Sequence, residues 1–273
     1  MLLAINAGNS NVVMGIFHGK DIIASFRIYT DMRRTADEYA LLLSEFLSRK
    51  GMDFNQVTGI IISSVVPQVL VQLKEMSVRW FHEEPIIVDS DLELGINILY
   101  DNPKELGSDR IVNAVGGYAE YGGPLIVVDL GTATNFDVVS ENGDFLGGAI
   151  APGIGISIEA LAGRTALLPK IDMSSVPQAI GRNTISCIKS GCFYGFLGQI
   201  EEIIRRIELE LPKKPKVVAT GGLANLIAKE SKMLEHIDTD LTLKGLRIIY
   251  DRRNSHCKCK SNNKYKERRI MKK

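Results

Sequence analysis

The strongest constraint in this sequence is that its opening recurs. Residues 125–150, LIVVDLGTATNFDVVSENGDFLGGAI, lie over 2–26, LLAINAGNSNVVMGIFHGKDIIASF, with no gap across the first strands. An offset of 123 sets Asp129 on Asn6 and Gly131 on Gly8. Each copy is an apolar run that ends in a polar residue, then Gly among hydroxyl and amide side chains, then a second apolar run. Apolar runs on both sides of a Gly-rich turn read as a strand that folds back along itself. Self-similarity of this kind reads as duplication. At 273 residues and 45% hydrophobic, the chain is long enough to give each copy a core of its own. Two similar α/β halves facing one another are expected to leave a cleft, the usual seat of a nucleotide and its acceptor.

The rest of the pattern fills in those halves. After LLAIN, NVVMGIF and DIIASFRIY, Thr35-Ala36-Asp37-Glu38 has capping-box form and leads into Tyr39, Leu42, Leu43, Phe46 and Leu47 at helical spacing. A strand VTGIIIS, a helix over 67–81 that begins at Pro67 and a strand PIIVD follow, for the order βββαβαβ. Beyond a helix near Ser108 comes the second copy, a long helix from about Thr184 to Leu211, the strand PKVVAT, a turn at Gly221-Gly222 and a closing helix. The expected division is a first domain over 1–115, a second over 116–251 and a basic tail over 252–273. That tail carries ten Lys/Arg against one Glu, a net +9, and leaves −8 on 1–251. Its low apolar content predicts disorder, with contact to nucleic acid or another anionic surface a minor reading.

Other classes are disfavoured by composition. The N-terminus has no basic segment ahead of an apolar core, and no apolar run reaches the roughly 18 residues of a membrane span, so a cytoplasmic protein is expected. Cys187 and Cys192 fall in a predicted helix and Cys257 and Cys259 in the tail, which supports no disulfide framework. His256 beside Cys257-Lys258-Cys259 lacks a second ligand pair at zinc spacing.

The chemistry concentrates in the repeated turn. Asn6-Ala7-Gly8-Asn9-Ser10-Asn11, running on into Val12 and Val13, reads by itself either as a tight turn or as a cradle of N–H groups for phosphate. The second copy, Asp129-Leu130-Gly131-Thr132-Ala133-Thr134, tips the balance to phosphate. Gly107-Ser108-Asp109-Arg110 stands at a helix start just after Tyr100 and Asn102-Pro103, where an acid, a cation and amide donors converge. There Asp109 is either a proton acceptor or a plain N-cap carboxylate. Gly221-Gly222, Gly147-Gly148 and Ala151-Pro152-Gly153-Ile154-Gly155 read as turn and packing elements or as flanks of a nucleotide.

In combination these segments resemble the type III pantothenate kinases, of the acetate/sugar-kinase, heat-shock-ATPase and actin superfamily. The resemblance covers residues 1 to about 250: INAGNSN, Tyr100-Asp101-Asn102-Pro103 with GSDR, VVDLGTATNFD, GGAIAPGI, Thr184 and ATGGLA. It implies a duplicated ribonuclease-H-like fold, a homodimer, and phosphorylation of pantothenate by ATP with Mg²⁺ in the first committed step of coenzyme A synthesis. It further implies that 6–13 form the first phosphate loop and that Asp109 accepts the proton. Thr132 would touch ATP, and Asp129 would hold a monovalent cation, K⁺ or NH₄⁺. Tyr100, Gly107, Ser108, Asp109, Arg110 and Thr184 would hold pantothenate, with Arg110 as a charged fork for its carboxylate.

One position departs from the family: it has Asp where this chain has Asn6, and the internal repeat points the same way through Asp129. The amide keeps one carbonyl oxygen and loses a full charge beside the expected metal and β/γ-phosphates. Ser10 replaces the usual Thr and keeps the hydroxyl. The expected activity is therefore a pantothenate kinase slowed by Asn6, with a ligand-binding or regulatory homologue as the alternative.

Overall fold

Both copies of the repeated opening fold as the same hairpin in separate sheets. The structure is a computed structural model that describes residues 1–165, 168, 169 and 171–270, the side chains of 256–270 excepted. The first sheet contains β1 (Leu2–Ala7), β2 (Asn11–His18), β3 (Asp21–Tyr29), β4 (Gly59–Ser64) and β5 (Ile86–Ile87), ordered β3-β2-β1-β4-β5. Between them run α1 (Ala36–Arg49) and α2 (Pro67–Phe81), as the sequence order predicts. The capping box forms: Glu38 N–H donates to Thr35 Oγ1 and Thr35 N–H donates to Glu38 Oε2. Pro67 opens α2, where its missing N–H costs nothing. Leu3, Ile5 and Ala7 of β1 and Ile60 and Ile62 of β4 pack with Tyr39, Leu43 and Leu47 of α1 and Leu73 and Met76 of α2.

The other sheet begins at β6 (Asn97–Ile98) and resumes after α3 (Ser108–Tyr121) with β7 (Leu125–Leu130), β8 (Ala133–Val139) and β9 (Asp144–Pro152). Then come α4 (Ile154–Gly163), α5 (Thr184–Glu210), β10 (Lys216–Thr220), α6 (Ala224–Ile227), β11 (His236–Ile237) and α7 (Leu241–Ile270). The strand order is β11-β10-β7-β8-β9-β6. Ile126, Val128 and Leu130 of β7 pack against Phe193, Ile200 and Ile204 of α5.

The topologies coincide in detail. β1 has an antiparallel partner, β2, on one side and a parallel one, β4, on the other; β7 has β8 and β10 in the same places. The register shifts between Ile16 and Phe17 in one copy and between Val138 and Val139 in the other. The gapless overlay needs one correction. Ala7 pairs with Val12 around 8–11, while Leu130 pairs with Thr134 around 131–133, so the second loop is one residue shorter. The offset falls to 122 between β2 and β8 and returns to 123 between β3 and β9.

The chain divides into two units, and the first is discontinuous. It comprises Met1–Asn97, Asn102–Gly116 and Thr242–Lys273; the second comprises Ile98–Asp101 and Gly117–Leu241. The linear cut at 115 assigns residues from Thr242 to the second domain and the tail, whereas α7 lies on the first sheet. A Cβ on Gly15 would come within 2.8 Å of Leu243, and one on Gly59 within 1.9 Å of the Tyr250 hydroxyl, so these two glycines make room for α7. The helix continues to Ile270, past the expected start of a disordered tail at 252. Arg252 is half-buried and donates to the Leu94 carbonyl, and Arg247 pairs with Asp251 at 2.7 Å. Those contacts carry helix and packing beyond the expected boundary. No helix among the described residues is long and apolar enough to cross a membrane.

Candidate active site

In the first unit the phosphate-loop candidate is a closed turn whose tip is exposed. Gly8 N–H donates to the Asn11 carbonyl at 2.9 Å, so that N–H is committed to the turn. Thr30, just past β3, holds the turn from beside: its hydroxyl donates to the Gly8 carbonyl at 2.6 Å and its N–H to the Ser10 carbonyl at 3.0 Å. Asn9 and Ser10 face solvent at the tip, and Ala7, Val12 and Met14 belong to the core. Val13 lies across from Asn6 in the hairpin. Asn6 itself is half-buried, and its Oδ1 is a buried acceptor with no hydrogen-bond partner. An unpaired amide oxygen out of water carries a desolvation cost that a bound cation or donor would relieve.

Beside Asn6, on the parallel neighbour β4, stands Ser63. Paired positions in a sheet share a face. The hydroxyl oxygens of Ser63 and Ser108 are 2.9 Å apart, and Ser108 also donates to the Ser64 carbonyl at 3.2 Å. Ser108 opens α3, so its side chain is turned into the first unit. Asp109 follows it, with Oδ1 accepting from the Arg110 backbone N–H at 2.8 Å. A Cβ on Gly107 would lie 2.6 Å from that Oδ1, so a side chain there would displace the carboxylate. Burial pushes the Asp109 carboxyl above the ordinary carboxylate range, against the Arg110 N–H and guanidinium, which pull it down. Arg110 is itself buried. A half-buried carboxyl whose affinity for a proton is raised suits a general base better than a surface cap. The preceding Asn102 is structural: it caps the turn at 103–105 and donates to Glu105 at 2.7 Å.

The second unit repeats the arrangement with different chemistry. Asp129 ends β7 almost as Asn6 ends β1, and its parallel neighbour on β10 is Thr220, as Asn6 has Ser63. Thr220 is 1% exposed and its hydroxyl has no hydrogen-bond partner. Gly131 N–H donates to the Ala133 carbonyl at 3.1 Å and closes the turn, as Gly8 does in the first unit. Two glycines line this loop. A Cβ on Gly153 would fall 2.3 Å from the Thr132 carbonyl, and one on Gly221, whose φ is +92°, would fall 2.6 Å from Asp129 Oδ1. Those close approaches give the TGG and APG motifs their reason: each puts backbone where a side chain would strike the loop.

The remaining predicted residues of this unit have neighbours of their own. Tyr100, just beyond β6, packs edge-on against Phe145 at 6.1 Å. Thr184 opens α5 next to its cap Asn183 and lines a cavity of about 750 Å³ with Leu161, Cys187 and Gly191. Cys187 and Cys192 are free thiols. No cluster of His, Cys, Asp and Glu suited to a metal occurs among the described residues, and the His256, Cys257 and Cys259 side chains lie outside them. Ser63 escapes sequence reading, because IIISS shows only strand character; Thr220 falls inside the ATGGLA segment, but only the register sets its hydroxyl beside Asp129, as it sets Ser63 beside Asn6.

Comparison with known proteins places the chain. A family model described as type III pantothenate kinase matches residues 2–206. The type III pantothenate kinase of Moorella thermoacetica is 47% identical over 252 residues, 92% of this chain and 99% of that protein. The protein of the same description from Brevibacillus brevis is 49% identical over 255 residues, 93% and 100% of the two chains. Among solved structures, the activator of the 2-hydroxyisocaproyl-CoA dehydratase from Clostridium difficile, with bound ADPNP, aligns with a TM-score of 0.56 at 10% identity over 94% of this chain and 97% of its own. That likeness is one of fold: the two mixed sheets flanked by helices are those of the actin-like ATPases.

Proposed function

This chain belongs to the type III pantothenate kinase family, and from that premise we propose how it transfers phosphate from ATP to pantothenate, a step of coenzyme A biosynthesis. The observation that carries the reading is Asp109, a carboxyl whose proton affinity burial raises at the start of a helix. It takes the proton of the pantothenate hydroxyl as the oxygen attacks the γ-phosphorus. Arg110 of the first unit is assigned to the substrate carboxylate, Gly107 and Ser108 of the same unit to pantothenate, and Tyr100 and Thr184 of the second unit likewise to pantothenate. The exposed tip of the first loop and Thr132 of the second receive the ATP phosphates.

Two ions belong to this reading. Mg²⁺ arrives with ATP, and the orphaned Asn6 oxygen is the acceptor that would face it; K⁺ or NH₄⁺ would sit against Asp129, where the unpartnered Thr220 hydroxyl lies on the neighbouring strand. The donor sets fit, since both are hard oxygen ligands, and bound cations would supply neutralisation of charge on the phosphate oxygens. Asn6 offers no negative charge, so turnover is expected below that of an Asp form.

A homodimer is part of the proposal. The second unit exposes Leu146, Ile150, Ile156, Leu161 and Ile185, Ile150 at 62%, on β9, α4 and α5, and Gly191, Gly195 and Gly198 of α5 have open space where a Cβ would be. Such a face supports docking of a second copy. The protein is proposed to work in the cytoplasm, without membrane or nucleic-acid partners. A binding-only role has no use for a poised carboxyl like Asp109. The decisive experiment is an assay for ADP and 4'-phosphopantothenate with and without K⁺: formation of both is expected, and ADP release that ignores pantothenate would overturn the reading.

A further inference from the structure

We propose that Ser63 is a positioning residue for the transfer reaction: its hydroxyl, bonded to Ser108, fixes where the start of α3 and the Asp109 carboxyl stand relative to the first phosphate loop. The inference rests on the reading of Asp109 as proton acceptor. It concerns β4, which contributes no residue to the ATP or pantothenate contacts.

The direction of the bonds follows from the protons available. A serine hydroxyl has one proton. Ser108 spends its proton on the Ser64 carbonyl at 3.2 Å, which leaves Ser63 to donate to Ser108 across 2.9 Å. Two consecutive residues at the end of β4 therefore grip the first residue of α3, one by its carbonyl and one by its hydroxyl. The Ser64 hydroxyl is engaged elsewhere, accepting from Val66 N–H at 3.1 Å and shaping the entry to α2. On its other side Ser63 is in register with Asn6, and Val65 N–H donates to the Ala7 carbonyl at 3.1 Å, so β4 is tied to the strand that bears the first loop. One short segment thus connects loop and base.

Stability alone gives a weak reason for this pair. Ser63 is 0% and Ser108 9% exposed, and because folding exchanges hydrogen bonds to water for bonds within the protein, the net stabilisation by such a pair is small. What the bond adds is direction, because a hydrogen bond weakens steeply off its axis whereas apolar contact does not. A proton acceptor depends on such placement, since an error of about 1 Å in a reacting group costs on the order of a hundredfold in rate.

The test uses the full chain with Ser63→Ala, Ser108→Ala, the double variant and Ser63→Thr. Thr occupies the equivalent place in the second unit, where Thr220 stands beside Asp129, so the topology accommodates it. Ser63→Ala is expected to lower kcat about tenfold with pantothenate KM changed less than about twofold and unfolding still cooperative. The double variant should fall no further than Ser108→Ala, which already loses the bond to Ser63 along with the bond to the Ser64 carbonyl, so that removing Ser63 as well breaks nothing more. Ser63→Thr should recover most of the rate. Unchanged kcat in folded Ser63→Ala, additive losses, or a raised KM at constant kcat in Ser63→Ala would each overturn the inference, the last because the bond would then serve only to hold Ser108 against the substrate and not to place Asp109. Asp109→Asn, run in parallel, separates the premise: full turnover there removes the base assignment itself, whereas an inactive Asp109→Asn beside an unimpaired Ser63→Ala removes only the role of Ser63.

Discussion

The two loops are built alike and charged differently. Each closes through its glycine N–H, each follows a strand with an antiparallel partner on one side and a parallel one on the other, and each has a hydroxyl residue beside its last polar side chain. Yet the first has Asn6 and a hydroxyl already bonded to Ser108, while the second has Asp129 and an unpartnered Thr220. Register has been kept even to the shared bulge, since a slip of one residue would turn the core side chains out. Charge at one position is under no such restraint. Shape in this fold is held by many residues together and chemistry by single ones.

The comparison breaks hardest at the residue that only the first unit has. Asp109→Asn should cut turnover about 10³-fold while ATP still binds by calorimetry; loss of binding would mean that the first loop depends on it. The same variant tests the burial effect. A carboxyl whose pKa the fold raises stabilises the folded state fully below the ordinary carboxylate range and loses that contribution as pH rises through the raised value. Asp109→Asn should therefore melt higher than the parent at pH 7, with the gain vanishing under acid conditions.

Exchanging the loop residues is the next test. Asn6→Asp, which gives the first loop the second's charge, should raise kcat up to about 10²-fold with little change in pantothenate affinity. Asp129→Asn, the mirror exchange, should lower kcat to a similar or smaller degree and remove the difference between rates in K⁺ and Na⁺. Equal rates in the two salts for the parent would take Asp129 away from the monovalent ion. The smallest effect is expected at the chain end: stopping after Asp251 should lower Tm by about 3 °C through loss of the Arg252 contact, and stopping after Ser255 should leave it unchanged.

What the sequence made legible was local. The capping box at Thr35, the start of α2 at Pro67 and the three opening strands all appear where periodicity and turn chemistry put them. The repeated loop was legible because the same residues occur twice. The one-residue difference between the loops was not, since apolar alternation survives a shorter turn as long as the strand realigns. Nor was the placement of α7. Leu243 and Tyr250 mark a helix with an apolar side, but only Gly15 and Gly59, more than 190 residues earlier, show what it packs on. The neighbours of Ser63 and Thr220 were hidden for the same reason, because a strand's pattern tells which face a residue takes and not which neighbour it meets.

That α7 packs on the first sheet also bears on how the protein is made. A ribosome releases residues 117–241 in one run, so the second unit can assemble while synthesis continues. The first unit starts earlier and finishes later: its sheet can form, but the face beside Gly15 and Gly59 stays uncovered until Leu243 and Tyr250 emerge. Until α7 emerges, then, the nascent chain carries the first sheet with the ground beside Gly15 and Gly59 bare, and α7 is the helix that covers it.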